Sequence, residues 1–345
     1  MGLMRKAIET YDAMQHLIGV EQENTEPLAP LGHKIVKAQI EITINGEGNF
    51  IQARKTDQKI IIPVTENSAG RSGTEAAQNP HPLCDQLRFY LPGSPVSSYF
   101  MDQLKAWNDS EYTHPKLVAI LNYLNHETIQ NDLARAELIK IDEEGKVSND
   151  KEIVCWIVVG LENDSGPVWN DQALLLAYQN YYLNIKGHED SIVCMLTGDF
   201  TVPAKQHLKG VFSLNGNAKI ISANDTSNFT YRGRFITDNE ALTIGYEASQ
   251  KAHNALKWLI ANQGIIRGGR CFLCWNPHGK KVASVFSGLF RSTGEEVHTP
   301  TEYRAQLQRA IDGYKTELPP GEDVIIAAFD AATPGRLAIT YYAEM

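Results

Sequence analysis

The sequence predicts an α+β protein with mixed, mainly antiparallel sheets and interspersed helices. Runs of β-branched residues closed by turn signals predict hairpins, as at 32–44 and 50–53 around Asn45-Gly46. Apolar residues at three- and four-residue spacing predict helices between the strands, beginning with residues 1–17. The 345 residues suffice for one large domain or two smaller ones.

The first hairpin is followed by a predicted strand at 59–64. Pro63 restricts it to a sheet edge, because proline has no amide hydrogen to donate. Asp85 is then placed to cap a helix that starts at Gln86, and Cys84 is expected to be buried. The later elements are predicted as helices at 99–107 and 115–124, a hairpin of 136–141 with 153–160 around Gly145, and a helix that Trp169-Asn170-Asp171 opens, that runs to Leu183 and that is capped by Asn170 or Asp171. They continue with a strand at 192–196, a helix from the capping box of Thr237 and Glu240 to Gly264, a strand at 267–275, a helix at 300–314 and strands at 323–330 and 336–342.

Two of these helices carry side chains that admit more than one interpretation. Tyr178, Tyr181 and Tyr182 are placed either to stack on bases or to cover the edge of a core, which is the commoner role. His253 lies beside a face of small residues in the later helix and is interpreted as structural. That face predicts the close approach of another element, and its members are Gly245, Ala248, Ala252 and Ala255.

Composition limits the compartment and the cofactors. The five cysteines are odd in number and scattered, which is typical of a reduced, cytosolic protein. The longest apolar run, 153–160, is far shorter than the ~20 residues of a membrane span. Cys271 and Cys274 resemble half of a zinc site, but in a strand they point to opposite faces. We therefore expect a cytoplasmic protein without a metal, a cofactor or a membrane partner.

The stretch 191–235 is the most informative part of the chain. An apolar strand at 192–196 ends at Thr197-Gly198-Asp199, and the segment 201–234 then contains five basic residues against one acid, Asp225. The net charge of −9 leaves room for such a local basic surface, because phosphate attraction acts within about 8–10 Å. Positive charge, glycines and amide side chains on loops are typical of surfaces that bind phosphates and sugars. An ordinary solvated loop is the alternative interpretation, since loops are polar by default.

A second polar loop follows the strand at 59–64. It runs from Thr65 to Asp85 and is small, polar and long, and loops of this length inside a compact domain are usually functional or disordered. Asn79-Pro80 and His81-Pro82 are equally well explained as rigid turns.

Both stretches resemble the large subunit of the type I-C CRISPR interference complex, Cascade. The resemblance rests on Thr197-Gly198-Asp199, the segment 204–211 with its Lys209-Gly210-Val211 end, Ser222-Ala223-Asn224, Leu83-Cys84-Asp85, and Gly335-Arg336-Leu337-Ala338 near the end. Asp199 replaces a glutamate of the family pattern, Ala223 a phenylalanine and Gln86 an asparagine. The resemblance also implies a C-terminal helical bundle, for which we expect no counterpart in this sequence. We delimit an N-terminal hairpin and loop region at 1–105 and an α+β body at 106–345.

The resemblance implies a non-catalytic, DNA- and RNA-binding subunit that acts in antiviral defence. Its partners would be double-stranded target DNA, the 5′ handle of the CRISPR RNA, other Cascade subunits and a recruited helicase-nuclease. The N-terminal loop would lie against the protospacer-adjacent motif duplex, with Arg71 on a phosphate, and the candidate contacts are Asn67, Ser68, Arg71, Ser72, Gln78 and Asn79. The bases of the second stretch would hold phosphates beside polar contacts, and these candidates are Lys205, Lys209, Asn215, Asn217, Lys219, Asn224, Arg232 and Arg234.

Two other function classes remain open at this point. A metal-dependent nuclease or hydrolase would use His188, Glu189, Asp190 and Asp199, which flank the strand at 192–196. His188-Glu189-Asp190 also has the character of a solvated turn, and no lysine is placed for nuclease chemistry. A protein-interaction scaffold would leave the loops without a role toward DNA.

Overall fold

The computed structural model describes residues 2–71, 76–143, 146–162, 164–212, 218–221, 233–280, 313, 323–333 and 336–345. The chain forms two compact units. The terminal unit comprises Met1–Ile18, Gln22–Leu28 and Ile192–Met345, and the central unit comprises Gly19–Glu21 and Ala29–Ser191. The two regions predicted from the sequence, 1–105 and 106–345, have different bounds from these compact units. They were delimited by function and stay a prediction.

Helices and strands are interspersed along the described chain, which confirms the predicted α+β class. The helices are α1 Gly2–Ala13, α2 Glu66–Gly70, α3 Ser97–Asn108, α4 Pro115–Asn125, α5 Ile129–Arg135, α6 Gln172–Lys186, α7 Asp238–Ala241 and α8 Tyr246–Gln263. The strands are β1 His33–Lys37, β2 Ile40–Asn45, β3 Phe50–Lys55, β4 Lys59–Pro63, β5 Val154–Val159, β6 Gly166–Pro167, β7 Ile192–Val193, β8 Phe200–Thr201, β9 Ile265–Arg267, β10 Arg270–Trp275, β11 Ile325–Thr333 and β12 Arg336–Glu344.

The central unit is built on a mixed sheet in the order β3-β2-β5-β6. β2 pairs antiparallel with β3 and parallel with β5, while β1 and β4 form a separate antiparallel pair that contains Pro63. The predicted extended segment 32–44 is therefore two strands with different partners. Alternate residues of β2 are fully buried, and α4 packs against β2 and β5. Trp156 of β5 lies in this core, and its Nε1 donates to the Leu83 carbonyl at 3.1 Å.

The turn between β2 and β3 confirms the predicted Asn-Gly hairpin. The Asn45 side chain accepts hydrogen bonds from the amides of Glu47 at 3.1 Å and Asn49 at 2.8 Å. Gly48 has a φ of +87°, and a Cβ there would lie 2.7 Å from the Tyr123 backbone nitrogen of α4. Only glycine suits this position, because both the left-handed backbone and the close approach exclude a side chain.

The predicted hairpin of 136–141 with 153–160 is wrong. The strand β5 lies between β2 and β6 instead, and Ile141 forms an isolated bridge with Val147. Residues 129–135 before it form α5, and Glu137 has a φ of +58°. An apolar run buried on both faces, as β5 is, belongs in the interior of a sheet rather than in a two-stranded hairpin.

The terminal unit contains an antiparallel sheet in the order β12-β11-β10-β9, on which α8 packs through β10. The pairing of β11 with β12 confirms the last two predicted strands. α1 confirms the predicted first helix and packs against α8, whose Ala252 and Ala255 are fully buried. Trp275 of β10 donates from Nε1 to Thr10 Oγ1 at 3.0 Å, which ties α1 to the end of the sheet.

The helix predicted from Thr237 to Gly264 is broken into α7 and α8. The capping box is present, since the Glu240 amide donates to Thr237 Oγ1 at 3.3 Å, and α8 does end before Gly264. The break occurs because Gly245 adopts an extended conformation and bridges Pro203. A Cβ on Gly245 would meet Thr201 Cγ2 at 2.4 Å, so the predicted close approach is confirmed at this residue.

Several predictions concern residues that the structure leaves undescribed. The helix predicted at 300–314 lies there, apart from residue 313, which is helical.

Among the described helices, none has both the length and the apolar character needed to cross a lipid bilayer.

Candidate nucleic-acid interface

The first group of candidate contacts lies in the central unit, where α2 begins the polar loop. Thr65 and Ser68 form a capping box in which the Ser68 amide donates to Thr65 Oγ1 at 3.0 Å and the Thr65 amide donates to Ser68 Oγ at 2.9 Å. Ser68 is fully buried, so it holds the start of the helix together. Asn67, the preceding residue, is exposed and accessible to a ligand.

Arg71 and Asp85 close the base of the loop that follows α2. Arg71 Nη1 donates to Asp85 Oδ2 at 2.6 Å and to the Asn79 carbonyl at 2.9 Å, and Nη2 pairs with Asp85 Oδ1. Asp85 is fully buried, and it also accepts from the amides of His81 at 2.6 Å and Gln86 at 2.7 Å. The predicted helix cap at Asp85 is therefore wrong, since the 3₁₀ turn Leu87–Phe89 begins without a side-chain cap. The carboxylate anchors the loop to the guanidinium instead.

The pair of Arg71 and Asp85 supports the loop, whereas other polar residues of the loop are exposed to solvent. The Arg71 side chain is 11% exposed and its guanidinium also lies 5.3 Å from the Phe89 ring centroid. Gln78 is exposed and Asn79 is half-buried, while Ser72 lies outside the described residues. Amides at Asn67 and Gln78 are thus available on a loop whose base is fixed, and the phosphate contact of Arg71 stays a prediction.

The second group lies in the terminal unit, between β8 and α7. Lys205 is exposed, and Lys209 and Lys219 are half-buried. Arg234 is exposed, with its guanidinium 5.3 Å from the Phe235 ring centroid. The remaining candidates, Asn215, Asn217, Asn224 and Arg232, lie outside the described residues.

The structure brings a further lysine, Lys257 of α8, to the second group. Burial and the positive charge of Lys209 lower the pKa of Lys257 to about 8. Burial also lowers the pKa of Lys219. Lys257 could not be identified from the sequence, because its place in the middle of a helix gave no sign that loop lysines would lie near it. The spacing of His253 and Lys257, one turn apart on one helix face, is the signal that was available.

The residues of the alternative nuclease interpretation have other contacts. Glu189 Oε2 accepts from Lys186 Nζ at 3.0 Å, and the same ammonium pairs with Glu66 at 2.8 Å. The Glu66 backbone amide in turn donates to the Tyr182 hydroxyl oxygen at 2.9 Å. This network ties α2 to α6. Asp199 and His188 are exposed.

Among the described residues, one group of three potential metal ligands lies within binding distance, and it contains none of those four residues. It consists of His114 and Asp171, which precede α4 and α6, and of Asp164, which lies shortly before β6. Lys116 Nζ lies 3.3 Å from Asp164 Oδ1 and pairs with Asp171, so one ammonium already offsets part of the negative charge of the two carboxylates. Asp171 Oδ1 accepts from the Leu174 amide at 3.1 Å, which confirms the predicted cap of α6. We interpret the group as an ion-pair cluster that joins two helix starts.

The two remaining ambiguous features are packed into the interior. Cys271 and Cys274 of β10 are both buried, and burial raises the pKa of the Cys271 thiol to about 12. Residues three apart in a strand point to opposite faces, so the positions of the two cysteines in β10 do not favour a shared ligand. Tyr178 is 1% exposed and its ring centroid lies 5.0 Å from that of Trp107, so it belongs to the core rather than to a base-stacking platform.

Comparison with known families identifies the chain. The model of the family described as CRISPR-associated protein (Cas_Csd1) matches residues 9–345. The chain is therefore a CRISPR-associated protein. It belongs to the Cas_Csd1 family, in agreement with its resemblance to the large subunit of type I-C Cascade. No curated protein matches the chain. The family indicates a role in antiviral defence within a Cascade-type complex that contains other subunits.

Proposed function

We propose that this chain is a non-catalytic subunit of a type I-C surveillance complex that contacts the protospacer-adjacent motif duplex and helps to initiate unwinding of target DNA. In this proposal it binds double-stranded DNA and the 5′ handle of the CRISPR RNA in the cytoplasm. Sequence discrimination comes from pairing with the guide, as in other RNA-guided systems. Cleavage falls to a recruited helicase-nuclease.

The observation that carries the proposal is the presence, between β8 and α7, of two basic residues without an ion-pair partner in the described part of the chain. Lys219 and Arg234 form no ion pair with any described residue, although the chain as a whole carries a net charge of −9. Isolated cations of this kind attract a polyanion through counterion release, which is the main source of affinity for a nucleic-acid backbone.

The loop of the central unit supports the motif-reading part of the proposal. Its base is held by the buried pair of Arg71 and Asp85, so the exposed amides of Asn67 and Gln78 project from a fixed support. Amide side chains can hydrogen-bond to base edges, whereas lysines mainly contact phosphates. The described carboxylates of the nuclease alternative include Glu189, which is neutralised by Lys186.

A binding assay with and without Mg²⁺ tests this function. The full chain, assembled with its complex partners and guide RNA, is mixed with a labelled duplex that carries the motif. Retention of intact duplex under both conditions is the expected result. Metal-dependent strand cleavage by the purified chain would contradict the non-catalytic role, and unchanged complex formation on DNA when the chain is omitted would contradict the binding role.

A further inference from the structure

The hairpin of β7 and β8, in the terminal unit, has apolar side chains on both of its faces. Val193 of β7 lies directly opposite Phe200 of β8 in the antiparallel register, so the two side chains are neighbours on one face. Exposure alternates along the run that contains β7, since Cys194 and Leu196 are buried whereas Val193 and Met195 are exposed. We call the exposed side chains of Val193, Met195 and Phe200 the outer face of the hairpin.

The hairpin is fixed to the start of α8 through both of its strands. On the side of β7, Cys194 Sγ accepts a hydrogen bond from the Gly245 amide at 3.3 Å. On the side of β8, the Tyr246 amide donates to the Val202 carbonyl at 2.8 Å. The exposure of the outer face is therefore a property of an anchored hairpin and does not come from a loosely attached loop.

The outer face forms an apolar patch that is open to solvent. Phe200 is 80% exposed, Val193 is 49% exposed and Met195 is 45% exposed. Single exposed apolar residues are normal on a protein surface, whereas adjacent ones that form a patch mark an interaction site. A continuous apolar run such as 192–196 is also typical of a strand that is covered on both sides. In the isolated chain this run is covered on one side only.

The chemistry of the outer face favours a protein over a nucleic acid as the partner that covers it. Val193 and Met195 have no ring on which a base could stack, and no residue of the face is basic. Asp199, which immediately precedes Phe200, is exposed and repels phosphates. The same carboxylate complements a partner that has a basic side chain at the rim of its apolar surface.

A second copy of the chain is disfavoured for the same reason. Contact between two identical faces would bring the Asp199 carboxylates of both copies to one small interface, where like charges repel. Other protein subunits are available as partners, because the family indicates a Cascade-type complex.

We propose that the outer face of the β7–β8 hairpin docks an apolar segment of another protein subunit of the complex, with a basic side chain of that subunit facing Asp199. Phe200 is the anchor that the partner buries, because it is the largest and most exposed side chain of the face. Val193 and Met195 exclude water around this anchor. The inference goes beyond the proposed function, since it concerns the assembly of the complex and not its contact with DNA.

Phe200→Gln is the decisive variant, and Val193→Thr is a second one that keeps a β-branched residue in β7. Ile266→Gln is the matched control, because Ile266 is a 47% exposed apolar residue on β9 of the same unit. The probe is a subcomplex of the other subunits assembled on the guide RNA, and biolayer interferometry measures its binding to the full chain. Anisotropy with motif-bearing duplex and with an RNA of the guide's 5′ handle reports nucleic-acid binding by the chain alone.

We expect the affinity for the subcomplex to fall at least about tenfold in Phe200→Gln, to fall less in Val193→Thr and to stay unchanged in Ile266→Gln. The nucleic-acid affinities of all three variants should equal those of the wild type. Both variants of the outer face should melt at the wild-type temperature, because the side chains they change are exposed in the isolated chain. Asp199→Asn should slow association with the subcomplex at low salt and have little effect at high salt.

Wild-type affinity of Phe200→Gln and Val193→Thr for the subcomplex would overturn the inference. So would a loss of nucleic-acid binding by these variants, or the conversion of a dimeric chain into a monomer, since the partner would then be a nucleic acid or a second copy. A lower melting temperature of both variants would show that the face is packed within the chain itself, and faster association of Asp199→Asn would show that the partner is not basic there. Failure of the assembled complex to bind motif-bearing duplex would contradict the proposed function and leave this inference intact.

Discussion

Arg71 and Asp85, fourteen residues apart in the sequence, form an ion pair in which the carboxylate is fully buried and the guanidinium is 11% exposed. The same carboxylate accepts backbone hydrogen bonds from His81 and Gln86. The pair therefore closes a loop and fixes the turns on one side of it. Arg71, which the sequence predicts as a phosphate contact, thus also holds its own loop in place.

Asp85→Asn should destabilise the central unit strongly. The substitution leaves a guanidinium in a poorly hydrated place without its counter-charge, and breaking a buried pair from one side costs roughly 3–5 kcal/mol. Urea unfolding followed by tryptophan fluorescence measures the change, because Trp156 lies in the same unit. The matched control is Asp57→Asn, since Lys37 and Asp57 form a pair whose side chains are 57% and 81% exposed. That change should cost less than about 1 kcal/mol. Equal effects of the two substitutions would contradict the structural role of Arg71.

Gly48→Ala should lower the free energy of unfolding by about 2 kcal/mol or more. A side chain at a φ of +87° is strained, by roughly 1–2 kcal/mol, and its Cβ would lie 2.7 Å from the backbone of Tyr123. Gly46→Ala in the same turn is the comparison. A Cβ there meets the end of the Leu161 side chain at 2.6 Å, which can rotate away. Chemical denaturation of the two variants side by side should therefore show a clearly larger loss in the free energy of unfolding for Gly48→Ala. The reverse order would show that the turn does not contact α4.

His33 should make the stability of the central unit sensitive to acid. Its ring is fully buried, Nδ1 lies 2.8 Å from the Leu31 carbonyl, and burial lowers its pKa to about 4 from 6.5. Because the folded pKa lies below the unfolded one, the unfolded chain takes up a proton first. Stability is therefore complete above pH 6.5 and falls as the pH drops toward 4, by on the order of 3 kcal/mol in total.

Denaturant midpoints measured between pH 7.5 and 4 test this pH dependence. His33→Asn, whose amide can still donate to the Leu31 carbonyl, should remove part of the acid slope. His126→Gln, at an exposed position, serves as the control and should keep the slope of the wild type. An unchanged slope in His33→Asn would mean that other groups cause the loss of stability.

The sequence predicted those elements whose cause is local. The Asn45 turn, the Asp171 cap and the periodic pattern of α4 all depend on residues within a few positions of one another. The break before α8 could not be predicted in this way. It depends on the pairing of Gly245 with Pro203, more than forty residues earlier. Similarly, β5 reads as half of a hairpin until its parallel pairing with β2 is known.

The candidate site shows the same division. Exposure of Lys205 and Gln78 follows from polar loop composition, which the sequence displays. The commitment of Arg71 to Asp85 and the meeting of Lys209 with Lys257 depend on how distant segments pack. Which charged side chains find an ion-pair partner is therefore decided by the folded structure and cannot be deduced from the local sequence.

The two groups of candidate contacts should differ in kind when they are mutated. Lys205→Ala removes an exposed ammonium, so it should weaken binding to all duplex sequences about equally and lower the salt dependence by about one unit. Gln78→Ala removes an exposed amide without changing charge. It should reduce the preference for the motif over a scrambled duplex and leave the salt dependence unchanged.

Lys105→Ala, which removes an exposed lysine of α3, is the control for a loss of one surface charge. Anisotropy titrations with both duplexes at three salt concentrations separate these effects. Loss of binding to one motif alone in Lys205→Ala would show that this lysine reads bases rather than phosphates.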